Sequence, residues 1–275
     1  MYIKKLVNKD IWIDGITFAI YFFAVIETIA AISGLALEDF CPSISWNDKL
    51  LIIIVTFLLV WLIICIILLL WNMRTIKIKI RNIDVIITTG DLFKLDGWRV
   101  IPFNEFYNTE TDDTIVAKKS LNGIFIEQYV ADKSKLEQKI SDDKSVNIKN
   151  EESYPLGHII PYVEDDNNRY MLLALSHFDK SQKQAMIKHE EYEACLINMW
   201  NEICRTYANY PIVLPLIGSG MTRIHNYSEK NEEQLLRCIL CTLKHTNVQI
   251  GKPITIVLTE ETVKKINLYN IKKQF

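Results

Sequence analysis

Two short stretches of this chain combine residue types with a binding chemistry. The first is Ile217-Gly218-Ser219-Gly220-Met221-Thr222-Arg223, which follows the apolar run Pro211–Leu216. A strand that runs into Gly-Ser-Gly presents consecutive backbone N–H groups, and glycine tolerates close backbone approach. Such a concavity suits a phosphate or diphosphate, and Arg223 can add positive charge. The same residues also read as a plain turn. The second stretch is Thr89-Gly90-Asp91-Leu92, after the apolar Val85–Ile87. A carboxylate just past a strand can accept a hydrogen bond from an exocyclic amine such as that of adenine, or it can cap the start of a helix.

Other chemistry-bearing residues resolve into ordinary roles. Cys238-x-x-Cys241 followed by His245 has the look of a zinc half-site, but it lies on an amphipathic helical pattern and lacks a second pair, so core packing is expected and no metal. His189-Glu190-Glu191-Tyr192-Glu193 resembles a zinc-protease helix with Glu193 where the second His belongs. Tyr154 and Tyr162 can stack on a base or pack in the core. His158, His177 and His225 have no spacing that requires a shared site, and Asp165-Asp166 reads as a solvated turn.

The elements that position these residues follow from periodicity. Ile76–Thr88 alternates and then turns continuously apolar, which predicts a strand closed by the turn Thr89-Gly90-Asp91. Further strands are expected at Gly97–Phe103, with Pro102 at its end because proline cannot donate to a ladder, and at Leu121–Tyr129. Asp132–Asn150 reads as a solvated helix or loop. Leu156–Pro161 and Tyr170–Leu175 should pair as a hairpin across Glu164–Arg169. Gln182–Tyr207 predicts a long helix capped by Ser181, Pro211–Ile217 a buried strand, Glu232–His245 a helix and Pro253–Leu258 a last buried strand. Alternating strands and helices with continuously apolar strands imply an α/β fold with a mixed or parallel sheet covered on both faces. In such sheets ligands bind at the carboxyl ends of strands, where both binding stretches fall.

The N-terminal quarter is different. Leu50–Trp71 contains no charged residue, and Gly15–Leu37 contains only Glu27. A helix of either length crosses roughly 30 Å of hydrocarbon. The first span also has the place of a signal peptide, but its apolar part is longer than a signal core and no cleavage site follows. Lys4, Lys5 and Lys9 precede the first span, Arg74, Lys77, Lys79 and Arg81 follow the second, and the connection carries Glu38, Asp39 and Asp48 against Lys49. The positive-inside rule then places both termini and the soluble domain in the cytoplasm, with Trp12, Trp46 and Trp71 at the interfaces. We expect a transmembrane hairpin in residues 1–75 and a cytoplasmic domain in 76–275. Glu27 near mid-span is the membrane-function candidate: it lines a conduit between copies, or it is protonated and bonded to Thr28, Thr56 or a carbonyl. Small residues Ala30, Ala31, Ser33 and Gly34 support oligomerisation. A net charge of −2 argues against nucleic acid as the main partner. The six cysteines are expected to be unbridged in a reducing compartment.

Taken in order, the strand with Gly90-Asp91-Leu92, the strand ending in Asn104, Tyr154-Pro155-Leu156-Gly157, the long helix and Pro215-Leu216-Ile217-Gly218-Ser219-Gly220 resemble the macro domain, a three-layer α/β/α sandwich with a mixed sheet that binds ADP-ribose and related nucleotides. The resemblance covers about residues 76–275. It implies that Asp91 holds the adenine amine, that Leu92 offers its backbone N–H, that Asn104 meets the distal ribose, and that Gly218, Ser219, Gly220 and Met221, with Thr222 and Arg223 beside them, surround the diphosphate. Catalytic macro domains follow their Asn with a glycine-rich loop. Here Glu105–Glu110 follows without a glycine, and the first Asn of the family's doublet is Ile101, so a ligand-binding protein without catalytic residues is expected.

A macro domain behind two membrane helices is similar to the membrane-anchored macro effectors of type II Thoeris antiphage defence. That resemblance implies a bacterial inner-membrane protein and no cofactor. The ligand would be an NAD-derived, ADP-ribose-like signal, such as a histidine–ADP-ribose conjugate, made by a TIR-domain enzyme. Binding would drive homo-oligomerisation and disruption of the lipid membrane. The alternatives are a membrane-tethered ADP-ribosyl hydrolase and a passive reader of ADP-ribosylated partners.

Overall fold

A computed structural model describes residues 9–33, 45–71, 74–113, 115–143, 153–179, 181, 184–220, 223–225 and 231–275. The chain divides into two compact units. One takes in the long helices with residues 267–273, and the other takes in residues 76–266 with the last two residues.

In the first unit, α1 (Lys9–Ser33) and α2 (Trp46–Trp71) are both long and apolar enough to cross a membrane. They pack antiparallel. The Trp12 and Trp61 rings meet edge-on at 5.2 Å, Trp61 Nε1 donates to the Trp12 carbonyl at 3.2 Å, and Phe23 meets Phe57 at 5.5 Å. Gly15 permits the close approach, because a Cβ there would stand 2.4 Å from Cys65 Sγ. Trp12 therefore packs on the neighbouring helix. Most other large apolar side chains of the pair are exposed.

The second unit is built on a mixed sheet. Its strands are β1 (Thr75–Ile80), β2 (Ile83–Thr89), β3 (Trp98–Asn104), β4 (Ile159–Val163), β5 (Arg169–Asp179), β6 (Gln184–Lys188), β7 (Ile212–Pro215), β8 (Arg223–His225) and β9 (Ile254–Leu258). Their order is β1-β2-β9-β7-β3-β5-β6-β8, with β4 on β5. The central run β2, β9, β7, β3, β5 is parallel throughout, whereas β4 and β6 run antiparallel to β5. The central strands are buried along almost their whole length, and β1 alternates exposed and buried as an edge strand does.

Alternation along β3 and β5 separates the helices into two layers. Ile101, Phe103, Tyr170 and Leu172 join one core with Phe125 and Ile126 of α3 (Leu121–Tyr129) and Leu136 of α4 (Lys133–Ser141). Met171 faces the other way, toward α5 (His189–Thr206), which packs on α6 (Glu232–His245) through Trp200 Nε1 donating to Thr242 Oγ1 at 3.1 Å. Two short helices, α7 (Glu260–Lys265) and α8 (Leu268–Gln274), close the chain.

Four elements differ from the sequence reading. Leu121–Tyr129 is a helix: Ser120 caps it by accepting from the Gly123 N–H at 3.0 Å, and its buried residues recur at helical spacing. The stretch 76–88 folds back on itself as two strands, because Arg81 takes a left-handed φ of 53°. The long helix begins only at His189. Ala185 and Ile187 alternate as a strand pairing with the end of β5, and Ser181 bonds to Asp179 instead of capping. Pro102 lies inside β3, beyond Trp98 and Arg99 where β7 pairs, so a residue without an N–H is tolerated on that side.

Gly157, just before β4, adopts φ +90°, and a Cβ there would stand 2.4 Å from Asn198 Cβ and 2.5 Å from the Cys195 carbonyl. Gly157→Ala is expected to cost at least about 1–3 kcal/mol in backbone strain, read as a lowered denaturant midpoint of the α/β unit.

Candidate ligand-binding site

The parallel strands bring three segments to one end of the sheet. The carboxyl ends of β2, β9, β7, β3 and β5 lie side by side there, and Gly90–Leu92, Leu216–Gly220 and Asn104 emerge from them. This is the crevice in which open α/β sheets bind ligands.

Gly90 is tied to the neighbouring strand end by its N–H, which donates to the Leu258 carbonyl at 3.1 Å, and a Cβ at Gly90 would meet open space. Asp91 uses one carboxylate oxygen to accept from the Phe93 N–H at 3.0 Å, capping the short 3-10 turn Leu92–Lys94. Its other oxygen stands 3.9 Å from Lys94 Nζ and the side chain is exposed. The cap therefore uses one oxygen of the carboxylate and leaves the other facing Lys94. Leu92 is buried beneath it.

The loop after β7 is a turn with open space above it. Ser219 N–H and Oγ both donate to the Leu216 carbonyl, at 3.2 and 2.6 Å, and Gly218 has φ +83°, a conformation that favours glycine. Buried Tyr192 of α5 donates to the Ile217 carbonyl at 2.8 Å and holds the loop from below. A Cβ at Gly220 would meet nothing within 4 Å. Met221 and Thr222 lie outside the described residues. Arg223 opens β8, paired with Met186, and its side chain is likewise outside the description.

Asn104 ends β3 and is only 7 % exposed. Its Oδ1 accepts from the Phe106 and Asn108 N–H groups at 3.1 and 3.3 Å, and Nδ2 donates to Asn108 Oδ1 at 2.9 Å. One amide N–H remains for a ligand. The following loop is anchored by Tyr107, 2 % exposed at a left-handed φ of 50°. Its hydroxyl lies 3.0 Å from His158 Nδ1, and His158 Nε2 lies 3.3 Å from Asp143 Oδ2. The Tyr107 hydroxyl also donates to the His158 carbonyl at 2.9 Å. Burial pushes the Tyr107 hydroxyl well above its ordinary range, and burial lowers His158 against the opposing pull of Asp143. Tyr154 stacks on His158 at 4.8 Å, and Tyr162 lies against Phe125, so both tyrosines pack in the core.

Histidines do share sites with acidic residues. Glu105 accepts from the Phe178 N–H at 3.2 Å, its Oε2 lies 2.7 Å from His177 Nδ1, and His177 Nε2 lies 3.5 Å from Glu191 Oε2. His158 and His177 thus occupy two separate networks. Cys238 and Cys241 flank the buried face of α6, and burial pushes the Cys238 thiol up to about 12. Among the described residues the cysteines are free, and no cluster suited to a metal ion occurs.

The family model of the Thoeris protein ThsA macro domain matches residues 85–259. The chain belongs to the ThsA macro-domain family. It is 35 % identical over 217 residues to Thoeris protein ThsA of Bacillus amyloliquefaciens (strain Y2), covering 73 % of this chain and 71 % of that protein. Solved macrodomains of Oceanobacillus iheyensis are also similar. A mutant with ADPR is 16 % identical, covering 73 % of this chain and 97 % of its own, with a TM-score of 0.46. The macrodomain with ADP is 15 % identical, covering 73 % and 95 %, again at 0.46.

The matched part of this macro domain runs from β2 to the residue after β9 and takes in all three site segments. Sequence reasoning missed Tyr107, Tyr192 and Glu105. Each is far in sequence from the residue it holds or touches, and buried aromatic or acidic residues carry no local signal of such a role.

Unfolded histidine takes a proton as pH falls through about 6.5, whereas buried His158 resists protonation to lower pH. The unfolded state then binds more protons, so stability is full above that value and falls as pH drops toward the folded-state value. Thermal midpoints from pH 8 to 5 are expected to show this decline, and His158→Gln should flatten it.

Proposed function

We propose that this chain is a ligand-gated membrane effector whose macro domain binds an ADP-ribose-like signal. The observation that carries the reading is the convergence of Gly90-Asp91-Leu92, Asn104 and the open Gly218–Gly220 loop at one sheet end of a ThsA macro domain that also bears two long apolar helices. Asp91 Oδ2 meets the adenine amine, the backbone of Leu92 through Arg223's neighbours at 218–222 receives adenine and diphosphate, and the remaining Asn104 N–H meets the distal ribose. The signal is NAD-derived, comes from a TIR-domain enzyme, and is of the histidine–ADP-ribose kind. The loop after Asn104 has no glycine and is pinned by Tyr107, which supports binding over hydrolysis.

In this reading α1 and α2 span the bacterial inner membrane as the hairpin of residues 1–75, and the domain of residues 76–275 is cytoplasmic. Ligand binding must favour one state over another to act at all; here it favours an oligomer that breaches the membrane.

Glu27 supports the assembly. It is exposed at mid-helix and, among the described residues, has no hydrogen-bond or ion partner, while Thr28 and Thr56 donate to carbonyls of their own helices. A carboxyl group in hydrocarbon needs water or another copy.

Gly220→Asp places a carboxylate in the open space above the loop. It should leave folding intact and abolish binding of ADP-ribose by calorimetry, together with growth arrest on co-expression with a TIR-domain NAD-consuming enzyme. Asp91→Ala should weaken binding by about 1.5–3 kcal/mol, one charge-assisted hydrogen bond. Normal binding by both variants overturns the site. Glu27→Gln should bind normally yet lose conductance in planar bilayers; unchanged conductance removes Glu27 from the conduit.

A further inference from the structure

The last turn of the chain departs from the domain it follows. Residues 267–273 form one compact unit with the long helices, although the residues immediately before them belong to the α/β unit. Within that first unit Lys273 Nζ donates to both carboxylate oxygens of Asp14 at 3.0 Å and lies 3.7 Å from Asp10. The Tyr269 hydroxyl also donates to Asp14. Leu268 and Ile271 are buried on the same short helix.

The connection back to the ligand site is short and packed. Gly90 donates to the carbonyl of Leu258, the last residue of β9. Thr259 follows and caps α7 by accepting from the Thr262 N–H at 3.1 Å. Lys265 of α7 pairs with Glu232 at the start of α6, and Val263 and Ile266 are buried. The next residues are α8. Along the chain, the strand end bonded to Gly90 is thus followed by one anchored helix and then by the segment bonded to α1. This stretch lies beyond residue 259, where the family match ends.

We propose that residues 267–273 are a clasp that holds α1 in its resting arrangement through Asp14, and that occupancy of the sheet-end site releases it. The clasp rests on the effector reading, since it assigns the release step within it. A half-exposed ion pair is individually weak, and that suits a switch, which needs a small bias between two states.

The test uses the full-length chain in bacterial cells with no signal-producing enzyme. Lys273→Glu sets a carboxylate against Asp14 and Asp10. It should raise the fraction of cells admitting a membrane-impermeant dye roughly three- to tenfold, the scale of a half-exposed charge-assisted contact. Adding Asp14→Lys should restore silence, and Lys273→Arg should be silent throughout. If Lys273→Glu does not accumulate in the membrane, Tyr269→Phe carries the same expectation. Variants as silent as the parent at matched protein level overturn the clasp, as does a charge swap that stays leaky. The parent co-expressed with a TIR-domain enzyme separates the two ideas. Arrest of the parent with silent variants sinks the clasp alone, whereas leaky variants with an unresponsive parent keep the clasp contact and overturn the ligand reading together with the release assigned to it.

Discussion

Burial of the central strands on both faces is the constraint from which the site follows. β9, β7, β3 and β5 have almost no exposed position, so they need a helical layer on each side and parallel neighbours joined by crossovers. Parallel strands share a direction, and all their carboxyl ends therefore open at one edge. Asp91, Asn104 and Gly218, distant in sequence, come to the same edge of the sheet because of that shared direction and not through any attraction among themselves.

What surrounds the crevice is held with unequal firmness. Asn104 and its loop are secured from within by Tyr107 and His158, in a buried network whose hydrogen bonds gain from low dielectric and whose loss would leave unpaired polar groups. The Gly218 loop is fixed below by Tyr192 and open above. The floor of the crevice is thus hydrogen-bonded to the core, and its glycine rim is unobstructed. Tyr107 commits the loop after Asn104 to the core.

The helical pair obeys a different rule. Among the described residues most of its large apolar side chains are exposed, and both helices are long and apolar enough to cross a membrane. Contact between α1 and α2 rests on the close approach at Gly15 and on aromatic edges.

Much of this was legible in the residues. The apolar lengths of α1 and α2, the boundaries of α6 and β9, the hairpin of β4 and β5, and the glycine punctuation after β2 and β7 are local properties, set by period and turn chemistry within a few residues. The state of Leu121–Tyr129 was not local: its apolar content fits strand or helix, and the Ser120 cap with core packing on β3 settled it. Nor was the short β6, whose five residues become a strand only because the end of β5 offers a ladder. The sequence by itself determined which segments must leave water and where the chain must turn, because hydrophobicity and backbone sterics act residue by residue. Only the tertiary structure decided that Tyr107 and Tyr192 support the crevice, that Asp91 divides its oxygens, and that the chain's last helix meets Asp14. Those are pairings across long sequence separations, and no local preference encodes them.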